Sequence, residues 1–337
     1  MFKDTIEKIK QIIKENFKLF IVFFVLLILF TYQFPYYIEV PGGTIDISSR
    51  VEVENGYNST GSFHMAYVGE MKATFPTLVV AKFKKDWDVI PKKDAIPENE
   101  NEDDVYFRDH LLLGEANQNA IIVAFEKAGK KIEYKKTDLY ITYIDKRAQT
   151  NLKVGDRILQ VNGIDVFSKD EVSNLLEPYD IGENIPFTII RDNKQMNVEA
   201  KMVDYDETHK AVGIMVTEKQ EIETNPAITF HFKSSESGSS GGLMMTLAIY
   251  NQLVKEDITN GKKIVGTGTI DKDGNVGSIA GIKYKLKGAV KEKADLFFVP
   301  NGENYEEAIE LKEKNNYNIE IIGVSTFDEA LFYLENM

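Results

Sequence analysis

The longest apolar stretch of the chain lies close to its N-terminus. Residues 19–38 read LFIVFFVLLILFTYQFPYYI and contain no charged side chain. An α-helix of about 20 apolar residues is long enough to cross the ~30 Å hydrocarbon core of a bilayer. The pattern therefore predicts a transmembrane helix at 19–38. The absence of a polar face argues against a helix of a globular core, and the absence of a small-residue cleavage site argues against a cleaved signal peptide.

The lysines around this stretch predict an orientation. Several lysines precede it within residues 1–18, whereas the first lysine after it is Lys72. Because cytoplasmic flanks are enriched in Lys and Arg, we expect residues 1–18 in the cytoplasm and the rest of the chain outside the cell. The sequence thus predicts a single-pass protein of the cell membrane, held in the lipid bilayer by its N-terminal helix.

Downstream, short apolar runs alternate with turn signals in three segments, and together they predict an α+β protein. Residues 39–133 contain strand-like runs punctuated by Gly and Pro. A helix is predicted there from about Val105 to Gln118, followed by a strand at Ile121–Phe125. Residues 134–203 are rich in predicted strands, with Asn162-Gly163 as a hairpin signal. Residues 204–337 alternate strands and helices, which predicts a mixed α/β domain.

Composition restricts the chemistry of the soluble part. The chain has 337 residues, no cysteine and a formal net charge of −13. The lack of cysteine excludes disulfides, thiolate catalysis and Cys-ligated zinc. The acidic balance argues against a nucleic-acid partner, because the phosphate backbone favours clustered basic residues. The sequence contains neither a G-x-x-x-x-G-K-[ST] nucleotide loop nor an H-E-x-x-H metal motif, so no nucleotide, metal or cofactor is predicted.

A loop of small residues, Gly238-Ser239-Ser240-Gly241-Gly242, separates a predicted strand from a predicted helix. It matches G-x-S-x-G, the nucleophile elbow of α/β-hydrolases. That fold places its catalytic histidine after the serine in the chain. All four histidines precede Ser240 here: His64, His110, His209 and His231. An esterase of α/β-hydrolase type is therefore a disfavoured alternative, and a serine nucleophile needs another base, for which a neutral lysine can serve.

Residues 278–295, SIAGIKYKLKGAVKEKAD, contain candidates for such a lysine. Their apolar stripe, which includes Ile282 and Leu286, predicts a helix with one buried face. Lys283 and Lys285 flank the stripe on opposite sides, and periodicity does not choose between them. Either lysine would need a pKa about 3 units below ~10.4, a cost of roughly 4 kcal/mol that burial can supply.

Both segments resemble the Lon-type protease domain. Its nucleophile loop is G-P-S-A-G and its second motif is G-G-(L/V/I)-K-x-K; this chain has GSSGG at 238–242 and AGIKYK at 280–285. The resemblance implies that Ser240 is the nucleophile, that Lys285 is the general base and that Thr267 helps to hold the lysine. It also implies that backbone N–H groups between Gly238 and Gly241 bind the oxyanion. Three residues depart from the family pattern: Ser239 replaces Pro, Gly241 replaces Ala, and Ala280 replaces the first Gly of the second motif.

The segment LKVGDRILQVNGIDV at 152–166 resembles a PDZ domain of the permuted bacterial type found in surface proteases. That resemblance implies that a peptide adds as a strand beside one strand of the domain. The strand expected to bind it comprises Leu139, Tyr140, Ile141, Thr142 and Tyr143.

The whole chain resembles the membrane-anchored PDZ–Lon-like serine proteases of Gram-positive bacteria. The resemblance implies that the PDZ domain, residues 134–203, is inserted into a Lon-type α/β proteolytic domain formed by 39–133 and 204–337. It implies an ATP-independent serine endopeptidase that cleaves exported peptides or proteins outside the membrane with a Ser240–Lys285 dyad, while the PDZ domain engages the substrate. Because the GSSGG loop is altered, a catalytically inactive surface scaffold that binds through its PDZ domain is the alternative.

Overall fold

The computed structural model describes residues 2–97, 100–206 and 209–337, and these form an α+β protein. The helices are α1 (Phe2–Glu15), α2 (Phe17–Thr31), α3 (Phe75–Ala81), α4 (Lys92–Ala95), α5 (Glu102–Lys127), α6 (Lys169–Leu176), α7 (Gly242–Leu253), α8 (Ile282–Lys291), α9 (Glu303–Asn315) and α10 (Phe327–Glu335). The strands are β1 (Tyr36–Asp46), β2 (Val51–Val53), β3 (Ser62–Lys72), β4 (Asp88–Pro91), β5 (Ile132–Ile144), β6 (Gln149–Thr150), β7 (Arg157–Val161), β8 (Ile164–Asp165), β9 (Asn184–Arg191), β10 (Lys194–Lys201), β11 (Val203–Asp206), β12 (His209–Ala211), β13 (Ile214–Thr224), β14 (Ile228–Phe230), β15 (Lys263–Gly266), β16 (Thr269–Ile270), β17 (Val276–Gly277), β18 (Leu296–Pro300) and β19 (Glu320–Val324).

The predicted transmembrane helix at 19–38 is wrong. Within the part of the chain that the structure describes, no helix is both long and apolar enough to cross a membrane. The apolar helix α2 has 15 residues, about 22 Å at 1.5 Å per residue, which is shorter than the ~30 Å hydrocarbon core. It ends because Tyr32 is extended (φ −65°, ψ 123°), and Pro35 and the start of β1 follow within four residues. The predicted orientation depended on this span and remains a prediction.

The chain divides into two compact units. The first comprises Met1–Pro41 and Val68–Ala95. In it, β1 and β4 pair antiparallel, from Tyr36 opposite Pro91 to Glu39 opposite Asp88. A small apolar core forms beside this pair from the side chains of Ile38, Val40, Ala73 and Ala81, with Phe34, Met71, Leu78 and Trp87 packed against them.

The second unit comprises Gly42–Tyr67 and Ile96–Met337, and it contains a parallel sheet that positions the candidate site. The strand β15 pairs in parallel with β3 on one side and with β18 on the other, and β18 pairs with β19. Successive residues of β15 point to opposite faces: Ile264 joins the core that contains α7, and Val265 joins the core that contains α8. The two helices therefore cover opposite faces, and the residues after the carboxyl end of β15 lie between them.

The helix α5 is longer than the sequence predicts. The predicted strand at Ile121–Phe125 is wrong, because α5 continues through it to Lys127. All five residues of that segment are buried, and a short run that is apolar on every side does not distinguish a strand from a fully buried helix. The helix begins at an Asn101 N-cap, whose side chain accepts hydrogen bonds from the N–H groups of Asp103 and Asp104.

The PDZ-like segment forms a sheet with strand order β13-β5-β7-β9-β10-β6 around its own apolar core. The strand β5 pairs with β13 on one side and with β7 on the other. Leu139, for example, lies opposite both Glu218 and Ile158. In this order β13 is the outer strand, and it lies beside the strand that the sequence indicated.

Candidate active site

The loop of small residues joins β14 to α7, and backbone hydrogen bonds hold it at three points. Gly238 has φ +89°, a left-handed conformation that favours glycine, and its N–H donates to the Asp109 carbonyl of α5 at 2.9 Å. The N–H of Gly242 donates to the Ser239 carbonyl at 3.1 Å. The Ser240 carbonyl accepts the N–H of Gly268 at 2.8 Å. Ser240 is therefore fixed at the amino end of α7, beside the chain that leaves β15.

Of the two lysines that periodicity left open, Lys285 is the buried one. Its side chain is 4% exposed, whereas Lys283 is exposed. The difference follows from the start of α8 at Gly281, which has φ +77° and turns the chain so that Ile282, Lys285 and Leu286 face the core. A β-carbon at position 281 would disfavour this left-handed conformation.

Thr267 connects the buried Lys285 to the loop of small residues at 238–242, here called the serine loop. The Lys285 Nζ donates to Thr267 Oγ1 at 3.2 Å, and Thr267 Oγ1 donates to the Ser240 carbonyl at 3.0 Å. Thr267 is fully buried, and its backbone N–H donates to the Phe298 carbonyl at 3.0 Å. Two of the side chains that the Lon-type resemblance indicated, Lys285 and Thr267, are thus bonded to each other at the end of β15, and Thr267 joins them to the backbone carbonyl of Ser240.

Burial lowers the pKa of Lys285 from 10.5 to about 8, because the apolar surroundings disfavour the charged ammonium. The residue also lies in the first turn of α8, where the partial positive charge of the helix end is unfavourable for a cation. Roughly a tenth of the amine is therefore neutral at pH 7, far more than for a lysine of ordinary pKa. A neutral amine can accept a proton, which is the property required of a general base.

Two of the three departures from the Lon-type motifs, Gly241 and Ala280, have local explanations. A β-carbon added to Gly241 would lie 2.6 Å from Met65 Sδ, so the thioether of β3 fills the place of the alanine in the family motif. In the second motif, Gly281 has the positive φ, and Ala280 is not among the residues of positive φ. The glycine that the backbone requires is thus retained.

The sequence indicated none of the four histidines as the base for Ser240. In the structure, the recorded contacts of three of them are with residues outside the loop at 238–242. The ring nitrogens of His64 contact Thr44 Oγ1 at 3.4 Å and Ser62 Oγ at 2.9 Å. Those of His110 lie 2.8 Å from the Tyr106 carbonyl and 3.0 Å from the Ser234 carbonyl. His231 lies 3.7 Å from Glu52 at an exposed position. These contacts give no support to a hydrolase elbow.

A groove of about 280 Å³ opens beside Ser239. Its walls are the helix α5 and the β16–β17 hairpin, and Asn119 Nδ2 of α5 donates to the Ile270 carbonyl at 3.0 Å. The lining residues are Leu112, Glu115, Ala116, Asn119, Ser239, Thr269, Ile270, Asp271, Asn275, Val276 and Gly277. Sequence reasoning missed the contributions of α5, because this helix carries no motif and lies more than a hundred residues before the serine loop.

The PDZ-like segment has a larger groove of about 600 Å³, between α6 and the start of β13. Its lining residues are Lys169, Val172, Ser173, Leu176, Glu177, Met202, His209, Lys210, Ala211, Val212, Gly213, Ile214 and Val216. The expectation that a peptide adds beside Leu139–Tyr143 needs correction. Leu139, Tyr140 and Ile141 are paired on both sides, and Tyr143 lies opposite Met215. Thr142 donates its hydroxyl to the Met215 carbonyl at 3.3 Å. The groove and the outer strand β13 lie one strand further out.

Comparison with protein families gives two matches. Residues 121–202 match the model of the PDZ domain, and residues 210–334 match the model of the Lon protease (S16) C-terminal proteolytic domain. A search of curated proteins found no match.

Among solved structures, the chain is similar to a PDZ domain of an SdrC-like protein from Listeria monocytogenes, with 17% identity, a TM-score of 0.22, and coverage of 26% of this chain and 93% of that one. It is also similar to a solution structure from Geobacillus thermodenitrificans, with 20% identity, a TM-score of 0.21, and coverage of 23% and 94%. The family models carry the assignment: the chain has a PDZ domain followed by a Lon-type serine-peptidase domain, and it matches the domain arrangement of a PDZ–Lon-like protease.

Proposed function

We propose that the protein is an ATP-independent serine endopeptidase in which Ser240 is the nucleophile and Lys285 is the general base. The observation that supports this assignment most directly is the buried Lys285, bonded to Thr267, which in turn is bonded to the Ser240 carbonyl. Among the residues that the structure describes, Lys285 forms no ion pair with a carboxylate, and such a buried lysine is costly to a fold, so its position calls for a chemical role.

The proposed reaction is acyl transfer in two steps. Neutral Lys285 Nζ takes the proton from Ser240 Oγ as this oxygen attacks the peptide carbonyl carbon, and the resulting ammonium gives that proton to the departing amine. The ester formed on Ser240 is then hydrolysed by water, with Lys285 again accepting and returning a proton. The Gly238 N–H is occupied by the Asp109 carbonyl. We therefore assign oxyanion binding to the N–H groups of Ser240 and Gly241, at the partially positive end of α7.

Covalent labelling tests the nucleophile. We expect a fluorophosphonate probe to modify wild-type protein on Ser240, as mapped by mass spectrometry, and Ser240→Ala to abolish both labelling and peptide cleavage. Ser239→Ala is the matched control one residue away. If labelling persists in Ser240→Ala and disappears in Ser239→Ala, the nucleophile is Ser239.

The base is tested with the second matched pair. Lys285→Ala should abolish cleavage, whereas Lys283→Ala, which removes an exposed lysine of the same helix, should retain it. Circular dichroism establishes that each variant is folded. A folded wild-type protein that binds peptides but is neither labelled nor able to cleave them would be a binding protein, and the peptidase assignment would be rejected.

We propose that the PDZ domain engages peptides along the outer strand β13, in the groove beside α6. Two features support this: the strand is at the end of the sheet order, and apolar side chains such as Val172, Leu176 and Val216 line the groove. A peptide strand would gain main-chain hydrogen bonds from β13 and bury alternate side chains in the groove.

A phenylalanine introduced into the groove tests this assignment. Ser173 is an exposed residue of α6 that lines the groove, and its neighbour Asn174 is exposed but does not line it. Ser173→Phe should weaken the binding of fluorescent peptides to Ser240→Ala protein, measured by anisotropy, and Asn174→Phe should not. Equal binding by both variants would place the peptide elsewhere.

A further inference from the structure

The groove beside Ser239 has an electrostatic character that the peptidase assignment does not explain. Its only charged lining residues are the carboxylates Glu115 and Asp271; no lysine or arginine lines it among the residues that the structure describes. The two carboxylates are not equivalent. Asp271 already accepts hydrogen bonds from the N–H groups of Asp273 and Asn275 and from the Asn275 side-chain amide, at 2.8–2.9 Å.

Glu115, in contrast, is a partly buried carboxylate that, among the described residues, forms one ion pair, with Lys169. Burial raises the pKa of Glu115 above its usual value, although the ammonium of Lys169 acts in the opposite direction. The Nζ of Lys169, at the start of the PDZ helix α6, lies 3.7 Å from Glu115 Oε1. Both side chains of this pair are partly exposed, and such ion pairs contribute little to stability and exchange readily.

Lys169 thus brings an ammonium close to Glu115 without lining the groove beside Ser239. It reaches Glu115 from the PDZ side, since Lys169 lines the PDZ groove and Glu115 lines the groove beside Ser239. The N–H of Lys169 also donates to Glu218 Oε1 at 2.8 Å, so Lys169 lies close to two carboxylates. Removal of the Lys169 charge would leave Glu115 without this ion pair, and a substrate lysine or arginine would then be bound more strongly.

We propose that Glu115 is a specificity-determining residue of this peptidase: it selects substrates with a lysine or arginine side chain in the groove beside Ser239, and Lys169 is an internal competitor for the same carboxylate. The inference rests on the proposed peptidase function. It also assigns a role to α5, which supplies Glu115 to the groove and the Asp109 carbonyl to the serine loop.

Matched peptides test the proposal. The two peptides of a pair differ at one position, which holds lysine in one and norleucine in the other. This position is moved in turn to each side of the cleaved bond. Both peptides are C-terminally amidated, so that the PDZ groove cannot recognise a terminal carboxylate. We expect wild-type protein to favour lysine over norleucine by roughly tenfold in kcat/KM at one position, the size expected for one hydrogen bond to a charged group. Glu115→Gln should abolish this preference, Lys169→Met should increase it, and added salt should reduce it.

The control variant is Asp273→Asn, which removes an exposed carboxylate of the same hairpin outside the groove and should keep the preference. A preference that is absent in wild-type protein, or that survives in Glu115→Gln, overturns the proposal.

A second measurement distinguishes failure of the specificity proposal from failure of the peptidase assignment. Peptide binding to Ser240→Ala protein, measured by fluorescence anisotropy, does not depend on catalysis. The lysine preference should appear there and disappear in Ser240→Ala/Glu115→Gln. Equal binding of the lysine and norleucine peptides overturns the specificity proposal even if peptides are cleaved. A preference in binding without cleavage supports it and rejects the peptidase.

Discussion

Replacing Lys285 by methionine should stabilise the protein near neutral pH. The substitution removes a buried ammonium and keeps the length of the side chain. Burial lowers the pKa of Lys285 from 10.5 to about 8, and at about 1.36 kcal/mol per pKa unit the charged form costs roughly 3 kcal/mol in the folded state. Loss of the hydrogen bond from Nζ to Thr267 Oγ1 offsets about 1 kcal/mol of this gain. We therefore expect Lys285→Met to increase the free energy of unfolding by about 2 kcal/mol at pH 7.

The pH dependence of this difference identifies its cause. Between pH 8 and 10.5 the unfolded chain keeps a proton on Lys285 that the folded protein has released, so the unfolding free energy of the wild type rises with pH in this window relative to the variant. Below pH 8 both states are protonated, and the difference is constant. At pH 10.5 and above the advantage of the variant should be gone, and the wild type should be the more stable by the Thr267 hydrogen bond.

Urea unfolding followed by far-UV circular dichroism at pH 7 and pH 10 measures this difference. Lys283→Met is the matched control, because it removes an exposed lysine from the same helix, and it should change the unfolding free energy little at either pH. A Lys285→Met variant that is less stable than the wild type at pH 7, or a difference that does not change with pH, would refute the account of a buried, destabilising ammonium.

Three further predictions concern activity and packing. The kcat/KM for peptide cleavage should rise with pH and level off above about pH 8, where Lys285 becomes neutral; a flat profile would exclude it as the base. Thr267→Val should lower the plateau and move the midpoint of the pH profile to lower pH, because the hydroxyl that accepts from the ammonium is lost, whereas Thr267→Ser should restore both. Gly241→Ala should reduce the unfolding free energy by about 1 kcal/mol, because the new β-carbon would displace Met65 Sδ, which belongs to a flexible side chain. The combination with Met65→Ala should be less destabilised than the sum of the two single changes, measured by urea unfolding in a double-mutant cycle.

The catalytic candidates were predictable because they lie in short local patterns. Periodicity alone reduced the lysines of α8 to two, and the choice between them depends on which face of the helix packs on the sheet. The family resemblance indicated Lys285, and it is the lysine that the structure buries. Thr267 was indicated in the same way, although it directly follows β15 and its hydroxyl donates to the carbonyl of Ser240, 27 positions away in the chain.

Features that depend on long-range pairing were not predictable from the sequence. The run LYITYI does form part of a strand, but the neighbours of β5 are set by pairing with residues 214–224, and these place the outer edge of the sheet on β13. The apolar segment 121–125 has no periodicity that separates a buried helix from a strand. Glu115 and Asp109 belong to the same helix and carry no sequence signal, because their roles arise only where α5 meets the serine loop and the hairpin.

The same long-range packing bears on how much of the chain the active site requires. Residues 210–334 match the Lon proteolytic model, yet two supports of the serine loop come from outside that range. Met65 of β3 fills the space beside Gly241, and the Asp109 carbonyl of α5 holds the N–H of Gly238. The strand β15, which leads to Thr267, is itself paired with β3. A β-strand that loses one neighbour exposes a row of unpaired backbone groups, and a loop that loses its buried contacts is no longer held in one conformation. Met65 and α5, which precede the PDZ domain in the chain, therefore help to hold the serine loop, and the glycine at position 241 is best understood together with the methionine that packs against it.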